Sequence, residues 1–156
     1  MTVAPNADRF EPLAPEAAAR WRAFPRFDEN VYFAGFVGLV LEEVRRDYSR
    51  MRLPFRPELR QPAGMVHGGA IATLIDTVVV PAIASAYEER RRLLTIGMSI
   101  QYVGGVAGDD AVAEGWVERR GRSIVFCRAE VRTGAGDLAA TAAVTYKIGR
   151  PLEEAS

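Results

Sequence analysis

Cysteine and histidine are almost missing from this chain: Cys127 is its only thiol and His67 its only imidazole. That scarcity excludes intrachain disulfides, zinc ribbons and any site built on two thiolates or two imidazoles, so no metal site is expected. Twenty basic residues balance twenty acidic ones, leaving no broad positive field for nucleic acid, which is not an expected partner. Lys147 is the only lysine. The first ten residues show neither a basic stretch followed by an apolar run nor a lipidation motif, and with so little cysteine the expected compartment is the reducing cytoplasm. Internal repeats and low-complexity tracts are lacking too. What is present is an ordinary globular composition, 156 residues with 49% hydrophobic, enough for one domain that buries about 68–70% of its unfolded surface.

Residues 1–34 carry Pro5, Pro12, Pro15 and Pro25 around one short helical stretch at 15–21, and are expected to form an appended arm before a domain spanning 35–150,. Residues 36–43 and 47–55 are compatible with two strands, and Pro54, Pro57 and Pro62 mark a loop,. Residues 68–87 carry one charge, Asp76, among small and aliphatic side chains on all sides, as in a buried helix,. Its length suits a membrane span, but Thr73, Asp76, Thr77 and Pro81 interrupt it and no second such run exists, so a membrane is not an expected partner. Pro81 removes a hydrogen bond to Thr77 and should kink this helix.

Four stretches of period two follow. Leu94, Ile96, Met98, Ile100 and Tyr102 share a face in the first; residues 111–118 alternate less cleanly. Val125, Cys127, Ala129 and Val131 share a face in the third, and Leu138, Ala140, Ala142, Val144, Tyr146 and Ile148 in the fourth. Glycine-rich turns at 120–122 and 134–137 read as hairpins, making this half an antiparallel meander. One long apolar helix with two strands before it and four after it belongs to the α+β class, with the sheet wrapped around the helix.

Several chemistries fail on the residues. Ser99 and Ser123 lie in strand patterns without the G-x-S-x-G of a nucleophile elbow. Cys127 sits on an inward face, as a packed thiol does. The run 134–139 fits G-x-G-x-x-A, yet a strand follows where a dinucleotide site needs a helix. What remains is Gln61-Pro62-Ala63-Gly64-Met65-Val66-His67-Gly68-Gly69. Two glycines in the first turn of a helix form helix poorly. They serve either close helix–sheet packing or the approach of a ligand to the free N–H groups of the helix end, which can stabilise an oxyanion.

Asp76 adds weight to the second reading, because a lone carboxylate in an apolar helix is costly unless it is paired or reached by water. A hydrogen bond to a loop or a partner chain is the alternative. Asp76 lies seven residues after Gly69, on nearly the same face, but eight after Gly68, about 12 Å along the axis. That is too far for both groups to act on one carbonyl, so a second chain, related by a two-fold axis, is expected to supply one of them.

The run 61–76 with HGG at 67–69, together with TIGMSIQY at 95–102, resembles the hot-dog-fold acyl-CoA thioesterases of the phenylacetate-degradation and 4-hydroxybenzoyl-CoA type. The similarity runs from about residue 36 to residue 148. It implies an antiparallel sheet wrapped around a central helix, in dimers that often pair into tetramers. It also implies hydrolysis of an acyl-CoA or aryl-CoA to the acid and coenzyme A, without a cofactor. Residue by residue, it implies that the Gly68 N–H polarises the thioester carbonyl, beside Gly69, and that Asp76 of the other subunit is general base or nucleophile. Gln61 would orient water or contact the thioester, His67 would be structural more than catalytic, and Thr95 would help hold the water. The arginines of the Arg119-Arg120-Gly121-Arg122 turn would either be solvated or contact the phosphates of coenzyme A.

Two departures stand out. Gln61 with Asp76 mixes two branches of the family, and Gly104-Gly105 replaces a common arginine-proline near the mouth of the pocket. The rival functions are a hot-dog protein that binds acyl-CoA without turnover and a hydratase or dehydratase on the same fold.

Overall fold

A computed structural model describes residues 6–153 of the protein. The expectations for the first five residues lie outside them. Two short helices, α1 (Pro15–Ala19) and α2 (Phe33–Val37), precede β1 (Val40–Arg45) and β2 (Tyr48–Leu53); then come α3 (Gly68–Ala84), β3 (Arg91–Tyr102), β4 (Ala111–Arg120), β5 (Ile124–Thr133) and β6 (Leu138–Pro151). The strands form one antiparallel sheet in the order β1-β2-β4-β5-β6-β3. The protein is α+β, and the sheet curves around α3.

Ile71, Leu74, Ile75, Val78, Val79, Ala82 and Ile83 recur at helical spacing and are buried between α3 and the sheet,. At Gly115 of β4 a Cβ would stand 2.8 Å from Val78 Cγ1 and 3.0 Å from Val79 Cγ1. The glycine is what lets the helix lie directly on the strand. Val125, Cys127, Ala129 and Val131 of β5 all face this core, as their alternation predicts.

Five features differ from the sequence reading. Phe36 and Val37 belong to α2, not to a strand over 36–43; Gly38 at φ 92° ends that helix in the left-handed conformation glycine favours, and β1 starts at Val40,. The long helix ends at Ala84, and continues through the buried Pro81 to get there. It is not buried all round either: Gly69 is exposed, and Thr73, Asp76, Thr77 and Val80 are half-buried along one stripe. β4, β5 and β6 form the expected meander, but β3 pairs with β6 at the far edge of the sheet, because α3 carries the chain across the sheet before β3 begins.

The fifth difference is a β-bulge. Opposite the inward residues Ala140, Ala142, Val144, Tyr146 and Ile148 of β6 stand Tyr102, Ile100, Met98, Thr95 and Leu93, with the register shifting between Thr95 and Gly97. The expected common face of Leu94, Ile96, Met98, Ile100 and Tyr102 is therefore broken. An extra residue moves Thr95 to the inner face and turns Leu94 outward beside Lys147,.

Candidate active site

The loop before α3 is held from three sides. Gln61 N–H donates to Met65 O (2.8 Å), His67 N–H to Leu59 O (2.7 Å) and Val66 N–H to Val106 O (2.8 Å). Gly104 of the neighbouring loop passes so close to β6 that a Cβ would sit 2.8 Å from Leu138 O, a physical reason for glycine there. Thus anchored, His67 caps α3: its φ of −60° and ψ of 136° are those of a cap residue, and its Nδ1 accepts the Gly69 N–H at 2.8 Å,. The imidazole thereby occupies the Gly69 amide. The Gly68 N–H has no acceptor among the described residues. Tyr102 closes over this first turn, its hydroxyl donating to Gly68 O at 2.8 Å. Gly68 is thus the amide left free to meet an anion at the positive end of the helix.

Two turns further on, Asp76 is held within its own chain. Thr95 Oγ1 donates to Asp76 Oδ1 at 2.8 Å, and Tyr146 Oη donates to the same oxygen at 2.8 Å and lies 2.8 Å from the Asp76 carbonyl. The bulge in β3 is what turns Thr95 toward the helix. Burial, and next to it the neighbouring carboxylate, push the Tyr146 phenol well above its ordinary range, so it stays a donor,. Oδ2 has no partner among the described residues, which leaves one carboxylate oxygen for water or substrate. Tyr146 was visible in the sequence only as one inward member of β6. Nothing in an alternation pattern says which inward side chain meets a helix carboxylate.

Gln61 stands beside this loop, but its Oε1 accepts the Ala63 N–H, within a turn closed by Gly64 N–H to Gln61 O at 2.9 Å. Its amide nitrogen is the end available for other contacts. The arginine turn divides. Arg120 points inward: it pairs with Asp47 and donates to Tyr87 Oη (3.1 Å) and Ile83 O (3.1 Å). Desolvation opposes that half-buried cation, and the Asp47 and Tyr87 contacts outweigh it, raising its affinity for the proton. A phosphate-binding role for Arg120 does not fit this geometry; Arg119 and Arg122 are exposed. Cys127 is buried and its thiol pushed up to about 12 by desolvation, so it is protonated and unreactive at neutral pH,.

A cavity of about 340 Å³ opens beside the carboxylate, with Thr95 and Tyr146 in its wall. It extends past Val80 and Ala84 of α3 to Trp21, Phe24 and Phe27 of the N-terminal arm.

Residues 63–140, half of the chain, match the model of the thioesterase superfamily. The chain is 31% identical to a protein of Halobacterium salinarum provisionally designated an esterase, over 74% of this chain and 78% of that one. Its fold is similar to the conserved protein PA5202 of Pseudomonas aeruginosa, with a TM-score of 0.72 and 28% identity over 76% of this chain and 94% of the other. It is also similar to a Streptococcus mutans protein solved with acetyl-CoA, with a TM-score of 0.70 and 19% identity over 81% and 98%, a likeness of fold alone. The protein belongs to the thioesterase superfamily and has the hot-dog fold. That membership supports hydrolysis of thioesters in general.

Proposed function

We propose that the protein hydrolyses an acyl-CoA or aryl-CoA to the free acid and coenzyme A, with Asp76 as the acid–base group. The observation that carries this reading is the Asp76 carboxylate, fixed on one oxygen by Thr95 and Tyr146 and free on the other, in a chain of the thioesterase superfamily. The Gly68 N–H donates to the carbonyl oxygen as negative charge develops on it. Asp76 Oδ2 takes a proton from water as that water attacks the carbonyl carbon; the carbon–sulfur bond then breaks, and the coenzyme leaves as its thiol with the proton. Gln61 orients the water or the thioester through its amide nitrogen, and Gly69 keeps the turn narrow enough for close approach. No cofactor takes part in this scheme.

Along α3, Gly68 and Asp76 are eight residues apart, about 12 Å. The complete site therefore draws Gly68 from one subunit and Asp76 from the other. The half-buried stripe of Thr73, Asp76, Thr77 and Val80, with the exposed Met98 on the helix side of the edge strand, is the face a second copy covers. Such dimers can pair again into tetramers. Arg119 and Arg122 contact the phosphates of the coenzyme, in keeping with a Streptococcus mutans neighbour that holds acetyl-CoA on this fold. The setting we assign is the cytoplasm.

Release of free thiol from a series of acyl-CoA esters tests the proposal. Steady turnover lost in Asp76→Ala is the expected result. Tight binding without thiol release from any ester would replace it with a carrier or sensor function.

A further inference from the structure

The cavity beside Asp76 has a direction. Asp76, Val80 and Ala84 stand at successive turns on one side of α3, so the line from the carboxylate to Ala84 runs about 12 Å toward the C-terminal end of the helix. β3 and β6 form one wall with Leu93, Thr95 and Tyr146. The opposite wall does not come from the sheet at all. It comes from the N-terminal arm, which lies outside residues 63–140 matched by the family.

The arm is built to hold that place. The Arg20 guanidinium donates to Glu88 O at 2.8 Å, Ala84 O at 3.0 Å and Tyr87 O at 2.5 Å, tying the arm to the carbonyls at the end of α3,. Trp21 meets Phe24 edge-on with ring centres 5.8 Å apart, and Phe24 meets Phe27 edge-on at 5.4 Å,. Arg90 lies over the Phe27 ring at 4.4 Å from its centre. Phe24 is buried, whereas Phe27 remains 46% exposed. A row of three aromatic rings facing an aliphatic helix stripe, in a cavity that reaches the Thr95 and Tyr146 side chains holding the carboxylate, suits an apolar chain whose reactive end lies at that carboxylate.

We propose that the N-terminal arm is the specificity-determining wall of the acyl site, and that Trp21, Phe24 and Phe27 select apolar acyl groups long enough to extend from Asp76 along the cavity to these rings, against short ones such as acetyl. This rests on the thioesterase reading above. The acyl tail lies in the pocket of the subunit that supplies Asp76. Each aromatic contact adds binding for a long acyl group and nothing for acetyl, so the arm acts on the ratio between substrates and leaves the chemical step alone.

The test compares kcat/KM for octanoyl-CoA and acetyl-CoA in the full-length wild type, in Phe27→Ala, which removes a half-exposed ring, and in Phe24→Leu, which removes the buried ring but keeps an apolar side chain. The wild type should favour octanoyl-CoA. Each variant should lower the octanoyl-to-acetyl ratio by on the order of tenfold, by raising KM for octanoyl-CoA more than KM for acetyl-CoA, and Phe27→Ala should do so with an unchanged thermal midpoint. An unchanged ratio in variants with unchanged midpoints overturns the proposal. A second measurement keeps it separate from the catalytic reading. In a Trp116→Phe background Trp21 is the remaining tryptophan, and its fluorescence should shift on adding the non-hydrolysable thioether S-octyl-CoA but not S-ethyl-CoA. That shift in a protein that releases no thiol from octanoyl-CoA would refute the hydrolase and keep the arm's role; equal responses to both thioethers, or none, would refute the arm's role.

Discussion

The two functional ends of α3 differ in how much of their surroundings one chain supplies. At Asp76 the chain provides a complete setting: Thr95 from a bulged strand and Tyr146 from its neighbour fix one carboxylate oxygen. At Gly68 it provides a capped but open turn, with His67 occupying the second amide and no described residue accepting the first. A carboxylate needs partners to be tolerated in an apolar helix, so its cradle must exist within the folded chain. A free helix-end amide is satisfied by water until substrate arrives, so it can wait at a surface for a second subunit.

Removing the carboxylate should have the largest effect. Asp76→Ala should lower kcat by about 10²–10⁴, the range for a positioned acid–base group, while acyl-CoA binding persists in calorimetry. Loosening its cradle should cost less. Tyr146→Phe deletes a hydrogen bond to a charged group and should reduce kcat by about ten- to a hundredfold, and Thr95→Ala should do likewise, with Thr95→Ser recovering most of the loss. Because burial and the carboxylate raise the Tyr146 phenol above its ordinary range, the hydroxyl stays protonated as pH climbs through 10. The wild-type pH–rate profile should therefore show no fall there that Tyr146→Phe removes.

Smaller effects distinguish the arginines and the cap. Arg122→Ala should raise KM for acyl-CoA several-fold at low salt and little at high salt, and leave KM for a truncated thioester unchanged. Arg120→Ala should instead lower the thermal midpoint, because it strands Asp47 and Tyr87. His67→Ala should cost about 1 kcal/mol of stability, the loss of an N-cap, or roughly 2–4 °C in thermal midpoint. Its kcat should stay within a factor of about two of wild type. A much larger loss of kcat would place the imidazole in the reaction.

Much of this arrangement is legible in the sequence. The HGG turn, the isolated Asp76 and the alternation in β5 and β6 are local signals, and each holds in the folded chain except at Leu138, which is exposed at the start of β6. Three things are hidden for physical reasons. An extra residue in a strand leaves no trace in a period-two pattern until its partner strand is known, so the inward turn of Thr95 waits for β6. Phe36 and Val37 look strand-like by composition, and only the left-handed Gly38 marks them as the end of a helix,. Tyr146 and Asp76 are far apart in sequence, and the inward orientation of one does not identify the other as its partner. The three charges at 119–122 show the same limit: composition cannot tell that Arg120 folds under the sheet while its neighbours face solvent.

The most direct test of the account mixes two inactive proteins. Gly68→Pro removes the proposed oxyanion N–H at the first helical position, where proline is well tolerated, and the φ of −60° and ψ of 136° at His67 already suit the residue before a proline,. Asp76→Ala removes the carboxylate and leaves Gly68 intact. If each site takes its amide from one subunit and its carboxylate from the other, refolding the two variants together at equal concentration should restore roughly a quarter of wild-type turnover, since half the dimers are hybrids and each hybrid has one intact site. No recovery beyond the sum of the separate variants, in samples that sedimentation shows to contain mixed dimers, would contradict the shared site.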